Sequence, residues 1–350
     1  MIMSKKLFDY VIGNPPYNAD FSSYGDNSTF AKPVYNLFLD EAYKVADKVE
    51  MIHPARFLFD AGSTPRSWNQ KMLNDEHLKV LSYEQDSSKV FANTDIKGGV
   101  AISYHDENRL FGAINVYTPF PELNDIVYKI EPMIEESLSS CITGRGIYKL
   151  SDLALAEHPE IVEKQSKGHK KDVGSGAFSV LRNIVFFEND ISDEETVKFI
   201  GLVNGKRVYQ YGIKRYIIGP ESFMAYKVII PKANGSGEFG EVLSNPFIEK
   251  PNVGATETFL SMGCFSTEAE ASACLKYIKT KFTRALLGVL KATQDCTRDK
   301  WKYVPLQNFK SDSDIDWSKS IKEIDQQLYK KYGLNETEIN FIETYVKEMK

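Results

Sequence analysis

Phe8-Asp9-Tyr10-Val11-Ile12-Gly13-Asn14-Pro15-Pro16-Tyr17 decides the fold of the N-terminal region. An apolar run stops at a polar amide, two prolines and an aromatic, so a short strand over Tyr10 to Ile12 delivers a stiff loop to a fixed point. Each proline holds φ near about −65° and removes a backbone donor, leaving the Asn14 and Pro15 carbonyls facing outward without a competing amide. The Asn14 side-chain oxygen and the Pro15 carbonyl then form an acceptor pair for both hydrogens of an exocyclic amino group. Tyr17 offers a flat face to a planar ring. That combination suits a flipped nucleobase.

The elements that follow place this loop on a layered α/β scaffold. A polar stretch, Asn18 to Lys32, reads as a loop beside the site. Pro33 opens a helix with apolar positions at Val34, Leu37, Phe38, Ala42, Val45, Ala46 and Val49. A strand at Val49 to Ile52 stops at Pro54, a helix carries Trp68, Met72 and Leu73, and a further strand spans Leu78 to Tyr83. This alternation implies a parallel sheet with helices on its faces. Val100 to Tyr104 and Phe111 to Tyr117 flank the turn Asp106-Glu107-Asn108 and predict an antiparallel hairpin. Gly98-Gly99 at the strand entrance allows close backbone approach.

With those elements in place, Asn14-Pro15-Pro16-Tyr17 resembles the catalytic motif of amino-methyltransferases that use S-adenosylmethionine. The form is typical of adenine-N6 DNA methyltransferases, and it also occurs in enzymes that methylate release-factor glutamines. The resemblance runs over residues 8–117 and implies the second half of a class I S-adenosylmethionine-dependent methyltransferase sheet, α/β in class, with parallel strands ending in an antiparallel hairpin. It implies catalytic roles for Asn14, Pro15, Pro16 and Tyr17, and stacking of the base on Tyr17 and Phe91. Phe91 suits a core position closing the sheet equally well. In such enzymes the Gly-rich cofactor loop precedes the motif, whereas only seven residues precede Phe8 here. Gly144-Arg145-Gly146 and Gly174-Ser175-Gly176 do not sit between a strand and an apolar helix. The S-adenosylmethionine site is therefore expected to be incomplete. The chain reads as the C-terminal portion of a larger enzyme or one piece of a split one, inactive alone. The missing N-terminal half or partner chain would carry the cofactor loop, and could also carry an endonuclease domain.

Beyond the catalytic region the texture changes to short β-rich runs: Ser179-Val180-Leu181, Val185 to Phe187, Arg207 to Tyr211, Tyr216 to Ile218 and Tyr226 to Ile230. The boundaries expected are 1–140 for a partial catalytic domain, 141–310 for a mixed α+β domain and 311–350 for a helical tail. Lys227 to Gly237, Thr256 to Phe259, Tyr277 to Phe282 and Trp301 to Leu306 resemble the target-recognition region of type II restriction-modification methylases. The resemblance implies double-stranded DNA as partner and site-specific adenine methylation with base flipping. Charge agrees weakly: residues 141–310 hold 24 Lys/Arg against 19 Asp/Glu, while 1–140 hold 13 against 20 and 311–350 hold 6 against 9. Arg207, Lys214, Arg215, Lys232, Asn234, Arg298 and Lys300 are the candidate DNA contacts, although the Lys232–Gly237 tip also suits a solvated turn. A non-catalytic recognition module or split subunit, and a protein-glutamine or RNA methyltransferase, are the alternatives.

Periodicity predicts one helix from Glu268 to Lys291, its stripe in the core. In the tail, Asn335 and Glu338 form a capping-box pattern. The four cysteines and five histidines show no ligand spacing, so no metal site is expected. With no targeting segment or apolar span, the expected location is the cytoplasm.

Overall fold

The computed structural model describes residues 6–19, 32–59 and 62–349. Most of the expected Asn18–Lys32 loop thus falls outside the described residues. The chain divides into two compact units, residues 1–124 and 125–350, with mixed parallel and antiparallel sheets.

In the first unit β1 (Phe8–Gly13) pairs parallel with β2 (Ala46–Pro54). β4 (Val100–Asp106) lies between β2 and β3 (Leu78–Glu84), antiparallel to both, giving the order β1-β2-β4-β3. α1 (Tyr35–Val45) and α2 (Arg66–Leu73) supply Tyr35, Leu39, Ala42, Trp68, Met72 and Leu73 to one core with Val49, Met51 and Leu78. The expected second hairpin strand at Phe111 to Tyr117 does not form. Gly112 and Asn115 take positive φ values of 88° and 51°, which turn the chain out of an extended path. The Phe111 and Asn115 amides donate to the Glu76 and Leu73 carbonyls instead, at 2.7 and 2.8 Å. The antiparallel partners of β4 are β2 and β3.

β1 forms one edge of this sheet, and its burial is poor for so apolar a strand. Phe8 is 55% exposed and Ile12 72%. Among the described residues nothing pairs with this apolar edge, which is unusual for a strand left open to water.

A single division falls within α3 (Pro121–Ile130), rather than the two expected after residues 140 and 310. The exit segment is held to the second unit: the Leu138 amide donates to the Val304 carbonyl and the Leu306 amide to Glu136, both at 2.8 Å. The tail joins it too, since Tyr332 stacks on Phe282 with centroids 5.0 Å apart.

The second unit contains β5 (Lys149–Leu150), paired with β9 (Ile217–Ile218). A four-stranded sheet sets β6 (Phe186–Phe187), β7 (Thr196–Val203), β8 (Lys206–Ile213) and β12 (Val253–Ala255) in the order β12-β7-β8-β6. A three-stranded sheet orders β11 (Phe247–Glu249), β10 (Tyr226–Pro231) and β13 (Phe259–Phe265). Short helices α4 (Asp152–Glu157), α5 (Ile161–Lys164) and α6 (Ala177–Val180) precede β6. Thus Ser179 to Leu181, expected as strand, is mainly helical: the Val180 and Leu181 amides close a turn onto Gly176 and Ala177 at 3.0 and 2.9 Å.

The single helix expected from Glu268 to Lys291 is two, α7 (Glu268–Lys279) and α8 (Lys281–Gly288). Thr280 breaks it, because its hydroxyl accepts from the Thr283 amide and caps α8 while its backbone is extended. Asp325 of α9 (Ile321–Lys331) completes that cap by accepting from the Lys281 and Phe282 amides at 3.1 and 2.9 Å. The Asn335–Glu338 capping box opens α10 (Glu336–Tyr345) as expected.

Candidate active-site loop

The loop begins where β1 ends. A Cβ on Gly13 would stand 3.2 Å from the Met51 sulfur, so the strand end lies tight against β2. Asn14 and Pro16 are exposed, Pro15 is buried, and Tyr17 is half-buried against the sheet core. The chain is pinned on its far side: the Val34 amide donates to the Tyr17 carbonyl at 3.0 Å and the Ala19 amide to Lys32 at 2.9 Å. An exposed amide thus stands on a loop whose next residue is anchored in the fold.

The Tyr17 ring meets Phe91 edge to face, with centroids 6.3 Å apart and planes at 68°. Such a contact is worth about 0.5–1.5 kcal/mol beyond its burial. Phe91 is placed by a compact turn: its amide donates to Ser87 at 2.9 Å, and its carbonyl accepts from the Thr94 hydroxyl at 2.7 Å. Ser87 ties the turn together, donating to the Thr94 carbonyl and accepting from the Ile96 amide at 3.1 and 2.8 Å. Gly99 then returns the chain so closely that a Cβ there would lie 2.4 Å from the Glu84 carbonyl oxygen. That is the close approach expected of the glycine pair. Phe91 is half-buried, with its ring edge-to-face to Tyr17.

The described loop residues carry no charged side chain. The Tyr17 hydroxyl is buried without a hydrogen-bond partner among the described residues, and burial pushes its pKa up to about 12. It remains a phenol through the working range of pH. His53 is core rather than catalytic: its Nε2 lies 2.8 Å from the Ser103 hydroxyl, its ring stacks on Tyr35, and burial pushes its pKa down to about 4. Sequence inspection passed over this histidine, whose neighbours assemble only in the fold.

The seven expected DNA contacts all fall in the second unit, where Arg207 and Asn234 share Ser244 as a partner and the Lys232 carbonyl accepts from the Cys296 amide at 2.9 Å. The Arg207 guanidinium donates to the Asn245 and Ser244 carbonyls at 2.9 and 2.7 Å and lies over the Phe247 and Phe259 rings. Lys214 pairs with Glu195 at 2.6 Å, and Arg215 spans Glu157 and Glu194 at 2.7 and 2.8 Å. Asn234 is buried, and its Oδ1 accepts from the Ser244 amide at 2.9 Å. Arg298 lies 3.8 Å from its neighbour Asp299, while the Lys232 and Lys300 ammonium groups make no ion pair among the described residues.

Among the described residues no cluster of His, Cys, Asp or Glu is placed to hold a metal, and no helix is long and apolar enough to cross a membrane. Nor do they offer a glycine-rich turn between a strand and an apolar helix for the carboxylate and ribose ends of S-adenosylmethionine.

Residues 1–91 match the Eco57I restriction-modification methylase family. Over 94 residues the chain is 31% identical to an uncharacterized adenine-specific methylase of Mycoplasma pneumoniae, a match covering 27% of this chain and 22% of that protein. The chain therefore spans about a fifth of that relative's length. Among solved structures it is similar to the type IIG restriction endonuclease BpuSI (11% identity, TM-score 0.30, 85% of this chain and 44% of that one). It is also similar to the type IIL restriction-modification enzyme MmeI, solved in complex with DNA (10% identity, TM-score 0.38, 96% and 56%).

Proposed function

We propose that this chain holds the target adenine in a site-specific adenine-N6 DNA methyltransferase of a restriction-modification system. The observation that carries the reading is the pairing of Asn14-Pro15-Pro16-Tyr17, at the end of β1, with Phe91 across a 6.3 Å ring contact. The matched methylase family, residues 1–91, contains both.

In this reading the Asn14 side-chain oxygen and the Pro15 carbonyl accept the two amino hydrogens of a flipped adenine. That draws the amine toward a tetrahedral geometry and points its lone pair at the methyl donor. Tyr17 and Phe91 supply apolar ring surface to the base, and Pro16 fixes the angle between acceptor and ring. S-adenosylmethionine, once bound, supplies an electrophilic methyl group. No carboxylate base is needed, because the amine becomes strongly acidic as it gains its new bond, and the described residues place none on the loop.

The exposed β1 edge supports a second element of the proposal: further chain, upstream or in a partner, covers this edge and supplies the groups that hold the donor. The parallel β1-β2 pair with an antiparallel β4 agrees with the later half of a class I methyltransferase sheet. The second unit is assigned to DNA recognition, with Lys232, Arg298 and Lys300 as contacts that need break no strong ion pair. Arg207, Lys214, Arg215 and Asn234 would have to exchange internal partners for DNA.

The test is methyl transfer to duplex DNA by the enzyme containing this chain, with Asn14→Ala and Pro15→Ala. Loss of methylation with retained DNA binding is expected, and normal methylation by Asn14→Ala would sink the reading. Calorimetric titration of the 350-residue chain with S-adenosylmethionine should show no binding; saturable binding would refute the incomplete donor site.

A further inference from the structure

The two glycine-flanked stretches that did not fit a cofactor loop line one cleft. Arg145-Gly146 and Gly174-Ser175-Gly176 face Lys164, Gln165, Ser166, Gly168 and His169 around a space of about 650 Å³ in the second unit. Both loops stay thin there. Gly146 has φ of 63°, and a Cβ on it would stand 2.9 Å from the Lys149 ammonium, so the backbone rather than a side chain forms that wall.

The acidic groups of this cleft are committed internally. Buried Asp172 accepts from Lys149 and lies 2.7 Å from His169 Nδ1, while Glu257 accepts from the Gly146 amide at 2.7 Å. The cations on its rim are not. Arg145 and Lys164 are exposed and make no ion pair among the described residues. Residues 164–171 read Lys-Gln-Ser-Lys-Gly-His-Lys-Lys, four lysines without a carboxylate, and of these only Lys171 is paired, with Asp152. Arg145 and Lys164 therefore leave a positive rim on a groove of backbone and small side chains, with Lys167 and Lys170 exposed on the adjoining segment and Glu160 the acidic neighbour of Lys164. The contrast with Lys214 and Arg215, whose charge is spent on Glu195, Glu157 and Glu194, is direct.

We infer that this cleft is a phosphate-backbone contact of duplex DNA, with Arg145 and Lys164 as its principal anchors and Lys167 and Lys170 beside them. The inference rests on the reading of the second unit as a DNA-recognition unit. Thin glycine walls let a sugar-phosphate strand approach the backbone, and unpaired cations release condensed counterions when they neutralise phosphates. Asp172 acts as a positioning residue, holding Lys149 and His169 at the floor while contributing no free negative charge.

The experiment is fluorescence anisotropy of the full chain with a labelled 30-base-pair duplex over a salt series, repeated with Arg145→Glu/Lys164→Glu and with Lys310→Glu, a charge reversal outside the cleft. The log–log salt slope of the double variant should fall by about two, roughly one for each phosphate no longer neutralised. The Lys310→Glu slope should match the parent. Parent binding with an unchanged slope in the double variant overturns the cleft and leaves the DNA reading standing. Absence of parent binding at low salt overturns both. Equal loss in Lys310→Glu shows a diffuse charge effect and overturns the cleft, as does preference for an RNA duplex of the same sequence. Far-ultraviolet circular dichroism matching the parent confirms that the variants fold, as expected for two exposed side chains with no ion pair.

Discussion

The Pro-Pro loop and the glycine-walled cleft are built on opposite principles. The loop is stiff, neutral and aromatic: two prolines set its path, Tyr17 meets Phe91, and the Asn14 amide is exposed. The cleft is thin-walled and cationic, with its carboxylates already used and Arg145 and Lys164 unpaired. Neutral acceptors discriminate a planar ring by shape and by the hydrogens it carries, whereas free cations attract any phosphate chain. On the proposed reading, one unit serves chemistry on a base and the other holds a polymer.

The sharpest way to break this comparison is Asn14→Ala. Methyl transfer by the enzyme containing this chain should fall by on the order of 10²–10³, the scale of losing one preorganised polar contact to a transition state. The DNA salt slope should stay as it was. A variant that loses binding along with catalysis would erase the division of labour.

The units should also part company with pH. The folded pKa of His53, about 4, lies below its ordinary value, so its contribution is whole above pH ~6.5 and drains as pH falls toward ~4. Burial raises Asp325 to about 6 despite its two backbone donors, so its contribution is whole below pH ~3.8 and is lost as pH rises through ~6. Each shift is worth up to about 3 kcal/mol. Pulse proteolysis in urea at pH 4.5 and 7.5, with the surviving fragments identified, should show residues 1–124 weakened in acid relative to residues 125–350. His53→Gln should flatten the acid loss of the first unit.

Phe91→Ala tests the loop more gently. Loss of one aromatic from a base platform costs about 1–3 kcal/mol, so kcat/KM should drop roughly 10- to 100-fold while the fold persists. If Phe91 only closes the sheet, the variant should lose stability and keep its kcat/KM. The smallest effect belongs to Lys214→Ala. Its exposed pair with Glu195 is worth about 0–1 kcal/mol, and DNA affinity should barely move if that charge is already neutralised.

Much of the first unit was legible because local chemistry and final geometry agree there. Prolines, an alternating strand and a spaced apolar helix each specify their own backbone, so β1, α1, β2, α2 and β3 fall close to where the sequence puts them. The hairpin failed because Phe111 to Tyr117 alternates like a strand, yet Gly112 and Asn115 turn it toward carbonyls of residues 73 and 76. Contacts of that range leave no local pattern. The same holds for Thr280, whose role as a helix break is shared with Asp325 more than forty residues on.

By itself the sequence determined the Pro-Pro loop, its residue types and the helix caps, since these depend on fixed φ values and on neighbours three or four positions away. Only the tertiary structure decided which charges are free. A lysine or arginine reads the same in sequence whether it meets a carboxylate or water, and so the sequence put forward Lys214 and Arg215 as DNA contacts and passed over Arg145 and Lys164, whose surroundings assemble only in the fold.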